Sequence, residues 1–341
     1  MKVIINFFIV ATLCLSFATT QNVTEADPMF LKFEQFREKF NKTYESLEEF
    51  SKRFEIFRKN VNSLNKTASN NPDDFVYGIT LFMDMTPEEF KGNFTALNMT
   101  DFPSNATAFF ANSTSNSSLR FLQSEEKVPE SFDWRDKDVL THVRIQGSCG
   151  GCWAFAAVTS LESAIYRKYG FKRILSIQQL IDCDASNWGC GGGIIHNAYQ
   201  YIQDYGLEEA GTYPYEFGQG SCRYNARRAK YSLANFVYAG DDDEDKIKAM
   251  LVKYGPLAIT INSRLLQYYN GGVINVDYDD CPYAPTHGVV IVGYGTTARG
   301  LDYWTVLNSW GASWGEDGYF RIARGRGLCG VNKYVTAALL E

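Results

Sequence analysis

The first part of the chain has apolar residues at helical spacing. Phenylalanines recur every three or four positions over residues 29–40 and again over 47–64. Such a stripe is typical of helices that bury one face, so two packed helices are predicted. The phenylalanines are Phe30, Phe33, Phe36, Phe40, Phe50, Phe54 and Phe57.

Three more helices are predicted after residue 150. One begins at Cys152 and ends at Gly170, since a glycine suits the left-handed backbone of a helix end. The second begins after Ser176, whose hydroxyl can cap it. The third covers residues 194–205, where an apolar stripe ends before Gly206.

The last hundred residues carry short apolar or alternating runs that are typical of strands. Helices followed by strands, without regular alternation, predict an α+β fold with a helical lobe over 134–234 and a strand lobe over 235–341. The predicted strands cover 257–262, 272–276, 287–294, 303–309 and 319–323. An acidic run over 241–245 precedes a helical pattern, and we interpret it as a solvated helix N-terminus rather than a calcium site.

Cys152 is the candidate nucleophile. A helix N-terminus presents the positive end of the helix dipole and unpaired N–H groups, and both favour a thiolate. An unperturbed thiol, with a pKa of about 8.5, is only a few per cent ionised at neutral pH, so a base is also needed.

The chain has only three histidines to supply that base. His196 lies on the predicted helix over 194–205 and His142 in an irregular stretch, so both are interpreted as ordinary structural residues. His287 stands immediately before an apolar run that reads as a buried strand, and it is the predicted base.

Asn308 lies on the next predicted strand and can orient the His287 ring. If Gly295 and Gly300 bound the connecting loop symmetrically, His287 pairs directly with Asn308. Directly opposed residues have Cβ atoms about 5 Å apart, so the amide can bond to the ring. That bond fixes the tautomer and directs the other ring nitrogen at the thiol.

These residues lie in recognisable motifs. Residues 146–153 read QGSCGGCW and residues 308–315 read NSWGASWG, with His287 opening a strand between them. The chain thereby resembles the papain and cathepsin L family of cysteine endopeptidases. The resemblance implies a two-lobed papain-like fold, with a helical lobe and an antiparallel, β-barrel-like lobe, preceded by a mostly helical propeptide.

The resemblance also implies roles for single residues. Cys152 is then the nucleophile, His287 the general base and later acid, and Asn308 the residue that orients His287. Gln146 is an oxyanion donor together with the backbone N–H of Cys152. Trp310 covers the contact between His287 and Asn308.

Several positions depart from the family pattern without removing a reacting group. Gly151 stands where Ser or Ala is usual, and it is expected to loosen the turn before the nucleophile. Thr286 stands where papain has an acid, and it is expected to alter the pH range. Gly191 and Thr80 stand where Asn is typical, and Ala68 where a final propeptide Asn is expected.

The cysteines agree with a secreted thiol enzyme. Of eight cysteines, Cys14 lies in the leader, and the odd number that remains leaves at least one thiol without a partner in the chain. Sequence alone does not choose among the possible connectivities. The resemblance implies the pairs Cys149–Cys190, Cys183–Cys222 and Cys281–Cys329. No metal or other cofactor is predicted, since the Cys149 and Cys152 pair lacks a second ligand pair nearby.

The N-terminus predicts entry into the secretory pathway. Residues 1–18 have a basic residue, an apolar stretch and small residues at a cleavage site, as in a signal peptide. No later run reaches membrane-spanning length. The net charge of −6 argues against nucleic acid as a partner. The expected destination is a lysosome-like vesicle or the extracellular space.

Residues 19–127 resemble an inhibitory propeptide, and residues 128–341 the peptidase domain. The propeptide signature matches Glu49, Arg53, Phe57, Asn60 and Leu64, followed by residues 78–84 (GITLFMD). Sequons begin at Asn22, Asn41, Asn65, Asn93, Asn98, Asn105, Asn112 and Asn116. They predict a glycosylated, exposed linker near 93–123, with the maturation cut near 124–128.

The resemblance places substrate between the lobes. Gly192 and Gly193 form the edge that binds substrate backbone, while Trp310 lies beside the reacting groups. The pocket for the second residue before the scissile bond is formed by Ile194, Ile195, Thr260, Pro285, Gly288 and Tyr334. Since none is acidic, an apolar or aromatic substrate residue is expected there.

The residues of the candidate site distinguish three classes of function. A catalytically inactive binding protein would be expected to lose Cys152 or His287. An acyltransferase to amines would favour an acid over Asn308 and would not explain Gln146. The prediction is a monomeric cysteine endopeptidase that acts on protein and peptide substrates, with its own propeptide as inhibitor.

Overall fold

The computed structural model describes residues 27–64, 75–94, 128–239 and 243–340. These residues belong to two compact units, one ending at Arg58 and one beginning at Lys59. The predicted signal peptide, most of the sequons and nearly all of the predicted maturation region lie outside the described residues. None of the described helices is long and apolar enough to cross a lipid bilayer.

The first unit is built around phenylalanine side chains packed against one another. It contains helix α1 (Pro28–Lys39) and most of helix α2 (Leu47–Leu64). Phe33 is fully buried, and its ring centroid lies 5.3 Å from Phe54 and 5.2 Å from Phe57. The aromatic stripes predicted from the sequence therefore form one core.

In the second unit, short elements of the predicted propeptide precede three helices of the helical lobe. Strand β1 (Val76–Tyr77) and helix α3 (Pro87–Phe94) come first. They are followed by α4 (Cys152–Tyr169), α5 (Ile177–Cys183) and α6 (Ile195–Tyr205). The predicted caps are present, because Gly170 has φ of 73° and the Ser176 Oγ accepts a 3.0 Å hydrogen bond from the backbone N–H of Gln179.

The strand-rich part follows. Its strands are β2 (Phe132–Asp133), β3 (Asn235–Ala239), β4 (Leu257–Ile261), β5 (Tyr269–Gly271), β6 (Val273–Ile274), β7 (His287–Thr296), β8 (Asp302–Leu307), β9 (Tyr319–Ala323) and β10 (Val335–Leu339). Helix α7 (Glu244–Tyr254) lies between β3 and β4, and 3₁₀ turns cover Trp134–Lys137, Gly189–Gly191, Leu266–Tyr268, Tyr278–Asp280 and Leu328–Gly330.

The main sheet has the strand order β3-β10-β4-β7-β8-β9-β6, with β2 also paired to β7. Within the described residues this order is an open path and does not close into a barrel. The strand pairs of this sheet are antiparallel, as the resemblance implies, except that β6 runs parallel to β9.

β7 separates two hydrophobic cores. Val289 and Ile291 belong to the core that includes β8, β9 and α7. Val290 and Val292 belong to the core under α4, α5 and α6. Because successive strand residues point to opposite faces, one strand packs the helical lobe on one side and the strand core on the other.

The acidic run was interpreted wrongly at Glu244. This residue opens α7 but is only 7% exposed. Its carboxylate accepts hydrogen bonds from Trp304 Nε1 at 2.6 Å and from the backbone N–H groups of Gly325 and Gly327, each at 2.8 Å. Those donors come from distant parts of the chain, so the local acidic pattern did not indicate burial.

Candidate active site

Cys152 begins α4 and is fully buried. The disulfides join Cys149 to Cys190, Cys183 to Cys222 and Cys281 to Cys329, the pairs that the resemblance implies. Cys152 is the described cysteine whose thiol lies outside these disulfides. Gly150 donates a 3.0 Å backbone hydrogen bond to Cys190, so the turn before Cys152 is also held to the loop that precedes α6.

Gly151 is packed although it has no side chain. A Cβ at this position would lie 2.9 Å from Cδ1 of Ile181 on α5. Ile181 therefore fills the space that a Ser or Ala side chain would need. The expectation of a loose turn missed this contact, because it depends on a residue from another helix.

The start of β7 lies against the start of α4. A Cβ on Gly288 would lie 3.0 Å from the carbonyl oxygen of Cys152 and 3.2 Å from the backbone nitrogen of Trp153. Gly288 thus permits a close approach that a larger residue would prevent. The neighbouring residue, His287, begins its strand beside the end of the helix that carries Cys152.

His287 is oriented by Asn308. The Nε2 atom of His287 lies 2.8 Å from Oδ1 of Asn308, and the same oxygen accepts a 2.8 Å hydrogen bond from the backbone N–H of Ser309. Because that oxygen accepts both bonds, Nε2 carries the ring proton. The other nitrogen, Nδ1, is buried and makes no hydrogen bond to another described group.

The strand register that predicted this contact was wrong. In the β7–β8 ladder Val290 pairs with Leu307 and Thr296 with Asp302, and the register shifts between Ile291 and Gly293. Asn308 lies beyond the end of β8 and diagonal to His287 rather than opposite it. Diagonal side chains share a face, so the two residues still bond.

Trp310 covers the imidazole. Its ring stacks on His287 with centroids 4.7 Å apart and an interplanar angle of 25°. His287 is completely buried, and this burial lowers its pKa from 6.5 to about 4, although the bond to Asn308 opposes the change. A neutral imidazole is favoured because the charged ring would lose its hydration.

The Gln146 side chain is fixed with one N–H directed at a carbonyl group. Its Oε1 accepts a 2.6 Å hydrogen bond from the Ser309 hydroxyl, and its Nε2 donates a 3.0 Å hydrogen bond to the carbonyl of Cys149. The carbonyl oxygen of Phe94 lies 3.5 Å from the same Nε2. A carbonyl of the predicted propeptide therefore lies beside the side chain expected to bind an oxyanion.

Residues of the predicted propeptide cover Trp310. Phe82 is fully buried, and its ring meets Trp310 edge-on at a centroid distance of 5.0 Å. Phe90 does the same at 5.3 Å. These rings form one cluster with Trp310, the residue that stacks on His287.

Thr80 provides a second propeptide contact. Its hydroxyl donates a 2.5 Å hydrogen bond to the backbone carbonyl of Gln267, and the Gln267 side chain donates at 3.0 Å to the carbonyl of Met85. β1 also pairs antiparallel with β5, through Val76 and Gly271. Thr80, which stands where the family motif has Asn, therefore makes a direct hydrogen bond to the peptidase residues.

The predicted specificity residues form more than one group. Thr260 and Gly288 are direct partners on β4 and β7, and Thr260 is 6% exposed. Gly193 lies against Trp153, since its Cβ would be 2.6 Å from that ring. The backbone N–H of Ile194 donates to Asn187 Oδ1 at 2.6 Å. The remaining members are Gly192 with φ of 117°, buried Ile195, buried Pro285 and Tyr334 with φ of 46°.

Tyr283 was missed by the sequence analysis. Its ring stacks with Tyr334 at a centroid distance of 6.2 Å. Burial, followed by the nearby Tyr334 and Tyr238, raises the pKa of its hydroxyl. Tyr283 belongs to none of the recognised motifs. Its position two residues before Pro285, a predicted pocket residue, could have indicated that it lies near the pocket.

The two other histidines lie outside this arrangement. His196 is on α6, with its ring 4.9 Å from that of Phe236, and burial lowers its pKa. His142 is exposed. Within the described part of the chain, no group of three or more His, Cys, Asp or Glu side chains is arranged to hold a metal ion.

Comparisons with known proteins agree with this arrangement. Residues 128–339 match the papain family cysteine protease model, and residues 33–90 match the cathepsin propeptide inhibitor domain. Cathepsin F of Drosophila melanogaster is 37% identical over 323 residues, which cover 93% of this chain and 51% of that protein. The probable cysteine protease RD19D of Arabidopsis thaliana is 36% identical, with 91% of this chain and 86% of that protein covered.

A solved structure shows the same architecture. The digestive procathepsin L2 proteinase from the larval midgut of Tenebrio molitor superposes with a TM-score of 0.81 at 32% sequence identity. The alignment covers 92% of this chain and 100% of the procathepsin chain. The family model alone covers more than half of the residues. The chain therefore belongs to the papain family of cysteine proteases, in the form that carries a cathepsin propeptide.

Proposed function

We propose that this protein cleaves internal peptide bonds through a Cys152 thiolate. The observation that carries this proposal is the arrangement of His287, which holds its protonated Nε2 on Asn308 and begins the strand packed against Cys152. The Nδ1 atom has no described hydrogen-bond partner and is available to accept the thiol proton.

In the first half of the reaction, the sulfur attacks the carbonyl carbon of the scissile bond. The carbonyl oxygen becomes an oxyanion, which the Gln146 side chain and the backbone N–H of Cys152 stabilise. When the tetrahedral intermediate collapses, the imidazolium gives its proton to the departing amine. A thioester between Cys152 and the acyl part of the substrate remains.

Water completes the reaction. His287 takes a proton from a water molecule, whose oxygen attacks the thioester carbon. Collapse of the second intermediate releases the carboxylic acid product and restores the sulfur. Trp310 stacks on the ring that transfers both protons.

The precursor is held inactive by its own propeptide. The domain boundaries proposed are a signal peptide over 1–18, a propeptide over 19–127 and a peptidase over 128–341. Phe82 and Phe90 on Trp310 support this, since their removal would admit both water and substrate. We propose secretion to a lysosome-like vesicle or the extracellular space, with the cut near 124–128.

The substrate residue two positions before the scissile bond is proposed to be apolar or aromatic. Its pocket combines Thr260, Gly288 and Tyr334 with Tyr283, and none of these carries a negative charge. Peptides that differ only in Leu, Phe or Arg at that position test this. A kcat/KM that is highest for Arg would contradict the proposed pocket.

Labelling tests the chemistry. The processed protein is treated with an epoxide that traps thiolates, and the label is located by peptide mass mapping. We expect one label, on Cys152, and loss of peptidase activity in proportion to labelling. A Cys152→Ala variant is the control, and full activity in that variant would reject the mechanism. An intact precursor as active as the processed form on a small peptide would reject propeptide inhibition.

A further inference from the structure

An apolar groove of about 330 Å³ lies beside the proposed active site and is not used by the chemistry above. Ile145 and Phe217 are each 57% exposed, and Ile174 is 44% exposed. All three line the groove. Large apolar side chains gathered on one surface are typical of binding sites.

Two features of Phe217 are unfavourable for the stability of the folded chain. Its backbone has φ of 58°, a left-handed conformation that residues other than Gly, Asn and Asp rarely adopt. Its ring is also largely exposed. A glycine would relieve the strain and remove the exposed ring, so folding alone does not explain a phenylalanine here.

The groove is continuous with the active-site segment. The Phe217 ring would lie 3.0 Å from a Cβ on Gly147, the residue after Gln146. Tyr215, also in the groove, donates a 2.6 Å hydrogen bond to the backbone carbonyl of Gln146. Ile145 forms an antiparallel bridge with Trp310.

The segment 145–149 indicates on which side of the scissile bond the groove lies. Its last residue is joined to Cys190, next to the proposed backbone-binding edge at Gly192. Its first residue, Ile145, lies at Trp310 and the groove. If the glycine edge binds residues before the scissile bond, the groove faces the residues after it.

We propose that this groove binds an apolar side chain of the substrate two to four residues after the scissile bond. The inference rests on the proposed peptidase function. An extended chain advances about 3.3 Å per residue, so these positions reach a surface that begins one residue from Gln146. Ile145 and Phe217 then determine specificity on the leaving-group side.

Matched peptides test the proposal on the processed enzyme. Internally quenched peptides share one acyl-side sequence and carry Phe or Ser at the second, third or fourth residue after the scissile bond. At one of these positions the wild-type kcat/KM should be roughly tenfold higher for Phe than for Ser. The ratio should fall to about one to twofold in Phe217→Gly and Ile145→Ser.

Two controls separate binding from folding. Phe171→Ser removes another exposed apolar ring that does not line the groove, and it should keep the wild-type ratio. The thermal midpoint of Phe217→Gly should equal or exceed that of the wild type, because the strain is relieved. Ile145→Ser provides the test should Phe217→Gly fail to fold.

The outcomes are distinct. A Phe to Ser ratio near one at all three positions in the wild type overturns this inference, while cleavage itself supports the proposed function. No cleavage of any peptide contradicts the proposed function instead. A concentration-dependent dimer of the wild type that Phe217→Gly abolishes would show that a second copy fills the groove, which also overturns the inference.

Discussion

At the residue scale, Gln146 and His287 are buried side chains that hydrogen bonds from or to neighbouring groups hold in one orientation. Gln146 has its oxygen bound to Ser309 and one N–H bound to Cys149. His287 has Nε2 on Asn308 and Nδ1 without a described partner. Preorganised groups of this kind stabilise charge in a transition state without having to reorient.

Replacing Gln146 with Ala should reduce kcat about a hundredfold or more and change KM little, because one oxyanion donor is lost. Steady-state kinetics of the processed enzyme on a small peptide measure this. Ser309→Ala is the matched control, since it removes the bond to Gln146 Oε1 and keeps the donor. It should cost less than about tenfold. Equal losses in both variants would contradict the oxyanion role.

The buried His287 makes the precursor sensitive to acid. Its folded pKa of about 4 lies below its ordinary 6.5, so the unfolded chain binds a proton that the folded chain excludes. The stability from this group is fully present above pH 6.5 and is lost as pH falls toward 4. The total is on the order of 3 kcal/mol.

Urea unfolding of a Cys152→Ala precursor at pH 7, 5.5 and 4.5 measures this loss, since that variant cannot cleave itself. A His287→Gln version of the same protein is the control, and it should lose less stability between pH 7 and 4.5. Identical pH dependence in the two proteins would show that His287 is not the group responsible.

At the element scale, the local sequence pattern predicted the helices and strands. Strand register and burial could not be predicted in this way, because they depend on residues far away in the sequence. The helix over 47–64 and the strand over 319–323 match the predicted bounds. The β7–β8 register was wrong because the connecting loop is not centred between Gly295 and Gly300, as Gly295 pairs with Tyr303. His287 was also predicted from its place before an apolar run and Asn308 from its motif, and neither criterion depends on the register.

Glu244 joins α7 to the loops after β9, and its loss should be costly. Glu244→Ala leaves the donors of Trp304, Gly325 and Gly327 without their acceptor. The free energy of unfolding should fall by about 3 to 5 kcal/mol in urea. Asp245→Ala is the matched control, because its side chain is 85% exposed, and it should cost less than about 0.5 kcal/mol. Similar losses in both variants would contradict the buried role.

At the scale of the whole molecule, the part of the propeptide after Lys59 packs in the same unit as the peptidase residues. Motifs identified the propeptide, but its points of contact could not be predicted. They depend on where Phe82, Thr80 and β1 meet Trp310, Gln267 and β5. These contacts join residues that are about two hundred positions apart in the sequence. Local periodicity therefore cannot predict them.

Phe82 provides the last prediction. Its ring is fully buried among Phe90, Phe94 and Trp310, and truncation to Ala should cost about 3 to 5 kcal/mol of local packing. We propose that this packing excludes substrate from His287. The Phe82→Ala precursor should therefore hydrolyse a small peptide at neutral pH roughly a hundredfold faster than the wild-type precursor. Leu31→Ala, which truncates a side chain that is 51% exposed, should not change the rate. Gel analysis must show that the Phe82→Ala chain stays intact during the assay. An intact variant no more active than the wild-type precursor would mean that Phe82 does not close the site.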